Sequence, residues 1–303
     1  MMKSPLNLNL GLGFVLFIFS SLCTVSQNTP CAAVQSPVYS EQTRADLKIK
    51  LNEARESYEK DTSNADALIW YGRRLAYLGS YMEAIDIFTN GIKRQPSDAR
   101  LYRHRGHRFI TVRCFDRAIS DLEIATGLIK GQKDETEPDG LPNARNVPTS
   151  TLQSNIWYHL GLAYYLNGDY EKAVQAYTSC LEVSLNPDMY VATANWLYIS
   201  LLKLNKNTEA RELLNYINSG MNLIENRDYQ SILLLYKGEK SEADFLNQES
   251  SLSGATLLFG LGNYYILKGE FTKAKEILTK IVSGNQWASF AYIAAEKTLK
   301  EFH

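Results

Sequence analysis

Six alanines, Ala84, Ala118, Ala173, Ala210, Ala243 and Ala274, recur along the chain at steps of 34, 55, 37, 33 and 31 residues. Four of them follow a glycine by twelve positions: Gly72, Gly106, Gly161 and Gly262. Around three of them nearly the same string returns: "YLGSYMEAIDIF" at 77–88, "LNGDYEKAVQAY" at 166–177 and "LKGEFTKAKEIL" at 267–278. A residue with no side chain, or only a methyl, lets two helices approach closely where they cross. Small residues at fixed spacing therefore dictate a repeated helical hairpin. Such hairpins bury their apolar faces by stacking, so a chain of 303 residues can form one continuous body without dividing into domains.

The third copy, "NIWYHLGLAYYLNGDYEKAVQAYTSCL", carries Trp157, Leu160, Gly161, Tyr164, Gly168, Tyr170, Ala173 and Tyr177 in the positions of a known pattern. It resembles the tetratricopeptide repeat, a helix–turn–helix unit of about 34 residues. Gly161 and Ala173 supply the close crossing, and the large rings fill the space around it. Gly168 is suited to a left-handed helix end, and Asp169 to the cap of the next helix. The resemblance implies an all-α fold: a right-handed α-α solenoid of about six helix–turn–helix repeats with N- and C-terminal capping helices. The copies begin near Asn64, Ala99, Ser154, Val191, Ile224 and Ala255, the fourth and fifth lacking the glycine or the large aromatic. Leu47, Leu51, Ala54 and Tyr58 share one face of an opening helix, and Ser289–Phe302 reads as a closing helix with a polar outer side.

Residues 1–26 have the layout of a secretory signal: Lys3, an apolar run from Leu8 to Leu22, then small residues with a cut after Ser26. Leu22 stands where a lipobox has a small residue, so Cys23 does not fit a lipid anchor. The remaining organisation is a flexible tether at 27–39, the capping helix at 40–63 and the solenoid at 64–303, with an inserted loop at about 131–151. The expected location is outside the cytoplasm, periplasmic or extracellular, with no membrane span in the mature chain. Cys31, Cys114 and Cys180 survive signal removal; being odd in number and without CxxC spacing, they predict a fold that does not rest on disulfides, with Cys180 a buried thiol.

Lys and Arg number 32 against 33 Asp and Glu, a balance that excludes bulk attraction to nucleic acid or an anionic membrane. Any binding charge must be local, and "LYRHRGHRF" at 101–109 is where it concentrates. With Gly106 turned to its partner helix, Arg100, Arg103, His104 and His107 share a face. The resemblance implies that this face lines the concave groove, joined there by Arg73, Asn155, Tyr158, His159, Asn195 and Trp196. Like charges three or four apart repel by roughly 0.2–0.5 kcal/mol per pair, and an anion relieves them. That anion is either a ligand's carboxylate or phosphate or the insert's own acidic run, Asp134, Glu135, Glu137 and Asp139. Some tetratricopeptide co-chaperones grip a partner's terminal carboxylate in this way, with Lys and Asn where this chain has Arg and His. Arg105 stands where the repeat has Leu and calls for Asp86 or Asp121 as an internal partner.

The resulting reading is a scaffold without cofactor or catalysis, whose basic groove binds an acidic or carboxylate-bearing peptide or protein. The insert is either a lid over that groove or a tolerated surface loop. The alternative is a small-molecule-binding or metal-dependent enzyme built on His104, His107 and His159, which the neighbouring arginines oppose. No nucleophile elbow, phosphate loop or dinucleotide fingerprint is present.

Overall fold

The computed structural model describes residues 31–245 and 252–302. The expected signal segment and Cys23 lie outside the described residues. Helix α1 (Glu41–Lys60) opens the array, its first N–H groups capped by the Ser40 side chain. Helix pairs follow: α2 (Ala65–Tyr77) with α3 (Tyr81–Arg94), α4 (Ala99–Thr111) with α5 (Phe115–Ile129), α6 (Leu152–Asn167) with α7 (Tyr170–Val183), and α8 (Pro187–Lys203) with α9 (Asn207–Leu214). Helix α10 (Arg227–Lys237) is followed, among the described residues, only by a single 3-10 turn at Glu242–Asp244. The pair α11 (Leu252–Leu267) and α12 (Phe271–Val282) and a closing helix α13 (Phe290–Lys300) complete the chain. Neighbours in sequence pack on one another throughout, and the described residues form no strand beyond one isolated bridge between Thr136 and Thr151. The fold is an all-α, α-α solenoid.

The small residues act where the spacing placed them. A Cβ on Gly161 would lie 2.6 Å from the Tyr177 ring, one on Gly72 2.5 Å from Phe88, and one on Gly106 2.8 Å from Leu122. Ala84, Ala118, Ala173, Ala210 and Ala274 are all wholly enclosed. Ala243 is the exception. It sits exposed in the 3-10 turn, so the fifth copy keeps only its first helix as a full element.

A second register runs through the turns. Gly79, Arg113, Gly168, Asn205, Gly238 and Gly269 all have positive φ, and they follow one another at the same steps as the alanines. At Gly168 the left-handed residue ends α6 and Asp169 caps α7 by accepting from the Lys172 N–H, as the sequence predicts. Arg113 occupies this position without a glycine's freedom, at φ 63°. Its side chain donates to Glu296 Oε2 and to the Trp287 carbonyl, both at 2.9 Å, and its guanidinium lies 3.8 Å from the Trp287 ring centre. A strained backbone in the second repeat is thus held by the C-terminal end of the chain.

The closing helix does more than cap. Ala291 to Ala295 and Thr298 are buried, and α13 touches α6 as well as α11 and α12. Glu301 receives Lys203 and the Tyr170 hydroxyl.

Two expectations about the N-terminal region are corrected. Cys31 and Cys114 form a disulfide, closing a separation of 83 residues, while Cys180 is the buried free thiol. Residues 31–39 are accordingly a strap laid on the solenoid. Besides the disulfide, the Tyr39 hydroxyl donates to the Tyr77 carbonyl and Arg44 donates to the Pro37 carbonyl. Farther along, the irregular chain after α9 is gathered by one buried carboxylate: Asp188 accepts from the N–H groups of Ile224, Glu225 and Asn226.

Candidate functional site

Helix α4 carries the cations, and the insert meets them. Residues 135–137 pair antiparallel with 150–152: the Leu152 N–H donates to the Glu135 carbonyl and the Glu137 N–H to the Ser150 carbonyl. This short ladder aims Glu137 inward. Its carboxylate lies 3.1 Å from Arg103 Nη2, 3.1 Å from Asn155 Nδ2 and 3.8 Å from His104 Nε2. The next residues continue the contact, with Arg73 donating to the Pro138 carbonyl at 2.9 Å and Arg74 to the Gly140 carbonyl at 2.8 Å. Gly140 is compulsory here, since a Cβ would strike the Tyr77 hydroxyl at 1.6 Å. The insert packs against α2, α4 and α6, and its own Glu137 sits on the cations expected to hold a ligand.

Each expected site residue can now be placed. Arg103 is buried, donates to His104 Nδ1 at 3.0 Å, and leaves its Nε without a partner among the described residues. Burial, opposed by Glu137, lowers its affinity for the proton. His104 is buried and stacked 5.6 Å from Phe88. Arg73 faces Pro138 and Trp70, at 4.4 Å from the latter's ring centre. Arg100 does not join the cluster; it pairs with Asp66 and Asp98 at the start of α4. Arg105 finds Asp121, one of its two expected partners, with two contacts of 2.7 Å.

Beyond the second repeat the expected binding face is covered by the chain's own side chains. His107 and His159 lie 4.4 Å apart, and Phe290 of α13 rests 5.3 Å from the first and 5.6 Å from the second. His159 is buried and donates from Nδ1 to the Asn155 carbonyl. Tyr158 is also buried, its hydroxyl receiving the Trp196 indole N–H at 2.8 Å. Trp196 is no open wall. It is wholly enclosed between Tyr165 and Phe259. Asn195 is buried beside it with its side-chain oxygen unpartnered among the described residues. The repeat pattern reports the inner side of a helix and not what covers that side, so the burial of these residues is not legible in it.

Burial, ahead of the surrounding arginine charges, drives the proton affinities of His104 and His107 well below the ordinary histidine range. His159 behaves alike, with burial first and Arg103 second. The rings are neutral donors and acceptors at neutral pH. No three His, Cys, Asp or Glu side chains are arranged to hold a metal ion among the described residues, and His104 turns both nitrogens to Arg103 and Glu137.

The sequence reading missed Arg74, Phe290 and Trp287. Arg74 carried the signal of a basic pair with Arg73. The other two had none, because a distant helix brings them in.

Residues 154–186 and 255–283 match family models of the tetratricopeptide repeat. The pairs α6–α7 and α11–α12 of the solenoid are thus the segments that match the tetratricopeptide repeat. No curated protein matches the chain. Among solved structures it is similar to Pseudomonas aeruginosa pilF, at 16% identity and TM-score 0.47, over 77% of this chain and 90% of that one. It is similar also to YrrB, described as a TPR protein with an unusual peptide-binding site, at 14% identity and TM-score 0.44, over 82% and 99%. A MamA fragment from Desulfovibrio magneticus RS-1 is similar at 18% identity and TM-score 0.43, over 57% and 85%.

Proposed function

We propose that this chain is an exported, periplasmic or extracellular scaffold that binds an acidic or carboxylate-bearing segment of a protein partner along the inner wall of its solenoid. The observation that carries the reading is the seat of Glu137. Arg103, His104 and Asn155 converge on one carboxylate of an extended segment, and Arg73 donates to the backbone carbonyl of Pro138 just after it. Guanidinium and amide donors so disposed read a carboxylate and a peptide carbonyl together. In this state the insert acts as the intramolecular ligand, and a partner would enter by displacing it. Export is supported by the apolar run at Leu8–Leu22 and by the Cys31–Cys114 disulfide, a bond that persists in oxidising compartments. No helix among the described residues is long and apolar enough to cross a membrane.

The test uses a labelled peptide of residues 133–141 supplied in trans. A chain whose insert is replaced by a short Gly-Ser link should bind it, wild type should bind it poorly, and Arg103→Met in the shortened chain should abolish binding. Equal binding by the shortened chain and its Arg103→Met variant would remove the groove from the mechanism. Cell fractionation, with and without residues 1–26, tests export.

A further inference from the structure

Three arginines converge beneath the insert, and two of them are matched. Arg103 has Glu137, and Arg73 has the Pro138 carbonyl and the Trp70 ring. The Arg108 side chain forms no hydrogen bond or ion pair with any described residue, although it is partly buried. It lines two openings. The smaller, about 100 Å³, is shared with Arg73, Tyr77, Arg103 and His107. The larger, about 320 Å³, keeps Tyr77 and His107 as walls and adds Tyr39, Tyr81 and Trp287. A partly buried guanidinium with no side-chain partner that lines an opening is placed to take an anion.

We propose that these two openings form a binding site for a small organic monocarboxylate, its carboxylate on Arg108 and its apolar body against the half-buried rings of Tyr39 and Tyr77. Arg108 alone of the three arginines has no side-chain partner, so the site offers one free guanidinium fork, a match for the two oxygens of a carboxylate. Desolvation holds Arg108 down to about 10, so it remains a cation at neutral pH, whereas burial leaves His107 neutral and able to offer only a ring N–H. The walls set the body. Tyr39 and Tyr77 present half-buried rings to the larger opening, the buried Tyr81 and Trp287 rings, packed on each other at 5.9 Å, complete its lining, and about 320 Å³ lies at the small end of the range of ligand pockets. The strap supplies Gln35 to Tyr39 as the outer wall and is pinned by the Cys31–Cys114 disulfide, an enclosure that suits a free acid rather than the end of a long chain. The site does not depend on the peptide reading, and its probes are small molecules that need no protein partner.

The test is thermal unfolding and titration calorimetry of the full mature chain at constant ionic strength. Hexanoate and 3-phenylpropionate are the probes, with their uncharged amides, inorganic phosphate and a free-acid tripeptide as comparisons. Saturating monocarboxylate should raise the Tm by about 2–4 °C, and the amides should not. Arg108→Met should abolish the rise without lowering the unliganded Tm, since it removes an unmatched charge. The site is overturned by an absent rise in wild type, by equal effects of acid and amide, or by a rise that survives in Arg108→Met. Stronger effects of phosphate or of the tripeptide would overturn the assignment to a small monocarboxylate. If Arg108→Met does not fold, Arg108→Lys takes its place and should weaken binding about tenfold by losing the bidentate fork.

Discussion

The Arg103 guanidinium and the Glu137 carboxylate meet at 3.1 Å with both side chains about nine-tenths buried, one on the inner face of α4 and the other on the insert. Removing one member of such a pair leaves the other charge enclosed and unmatched. Glu137→Ala should therefore cost about 3–5 kcal/mol of stability. Glu137→Gln, which can still accept from Asn155, should cost less. Chemical denaturation of the two variants checks the order, and equal, near-zero losses would mean that the insert does not hold the groove.

Arg113 is held in the left-handed region by bonds to Glu296 and the Trp287 carbonyl. Arg113→Ala keeps the backbone strain and loses those bonds. Arg113→Gly loses the same bonds but relieves the strain, so it should be the more stable of the two by about 1 kcal/mol. Denaturation midpoints measured side by side decide the matter. A more stable alanine variant would show that the turn is unstrained.

Glycines at helix crossings and glycines on open faces should respond oppositely. Gly161→Ala puts a methyl against the Tyr177 ring in a fully packed core and should destabilise by about 1–3 kcal/mol. Gly127, in α5, has no atom within 4 Å of where a Cβ would sit, so Gly127→Ala should stabilise by up to about 1 kcal/mol. Thermal melts of both variants provide the measurement.

The Cys31–Cys114 bond closes a loop of some 83 residues in the unfolded chain. Reduction, or Cys31→Ser, should cost about 2–5 kcal/mol. Reduction should do nothing further to the Cys31→Ser variant, and protease nicking within 31–39 should rise in both cases. A melt insensitive to reductant would contradict the strap.

His104, His107 and His159 are each held well below the ordinary range by burial. In the unfolded chain they take up protons near pH 6.5, while the folded rings stay neutral. The unfolded state then binds more protons, so stability is level above about pH 6.5 and falls as the pH drops below it. The slope reaches about 1.4 kcal/mol per pH unit for each ring. Denaturant midpoints between pH 7.5 and 5 should show this fall, and His159→Gln should flatten it. A profile with no such fall in wild type would place the protons on the folded rings.

Comparison of Arg105 with Arg103 shows where sequence reasoning reached and where it stopped. Arg105 breaks the repeat pattern at a position whose neighbours are legible, so its partner narrows to Asp86 or Asp121, and the contact is with Asp121. Arg103 fitted the pattern, so only its inward face was legible. Whether it met a ligand, Glu137 or water depended on the path of an insert that has no periodicity.

What the sequence by itself determined is the local and repeated part: the small residues at each crossing, the left-handed turns at Gly79, Gly168 and Gly269, and the caps, because these act within a single hairpin or between adjacent ones. Tertiary structure decided how the inner side is used. Phe290 covers His107 and His159, Cys31 reaches Cys114, Glu137 settles on Arg103, and Arg108 is left unmatched. The physical reason is range. Contacts between segments far apart in the chain are selected by the shape and charge of the assembled solenoid, and no fixed spacing in the sequence records them.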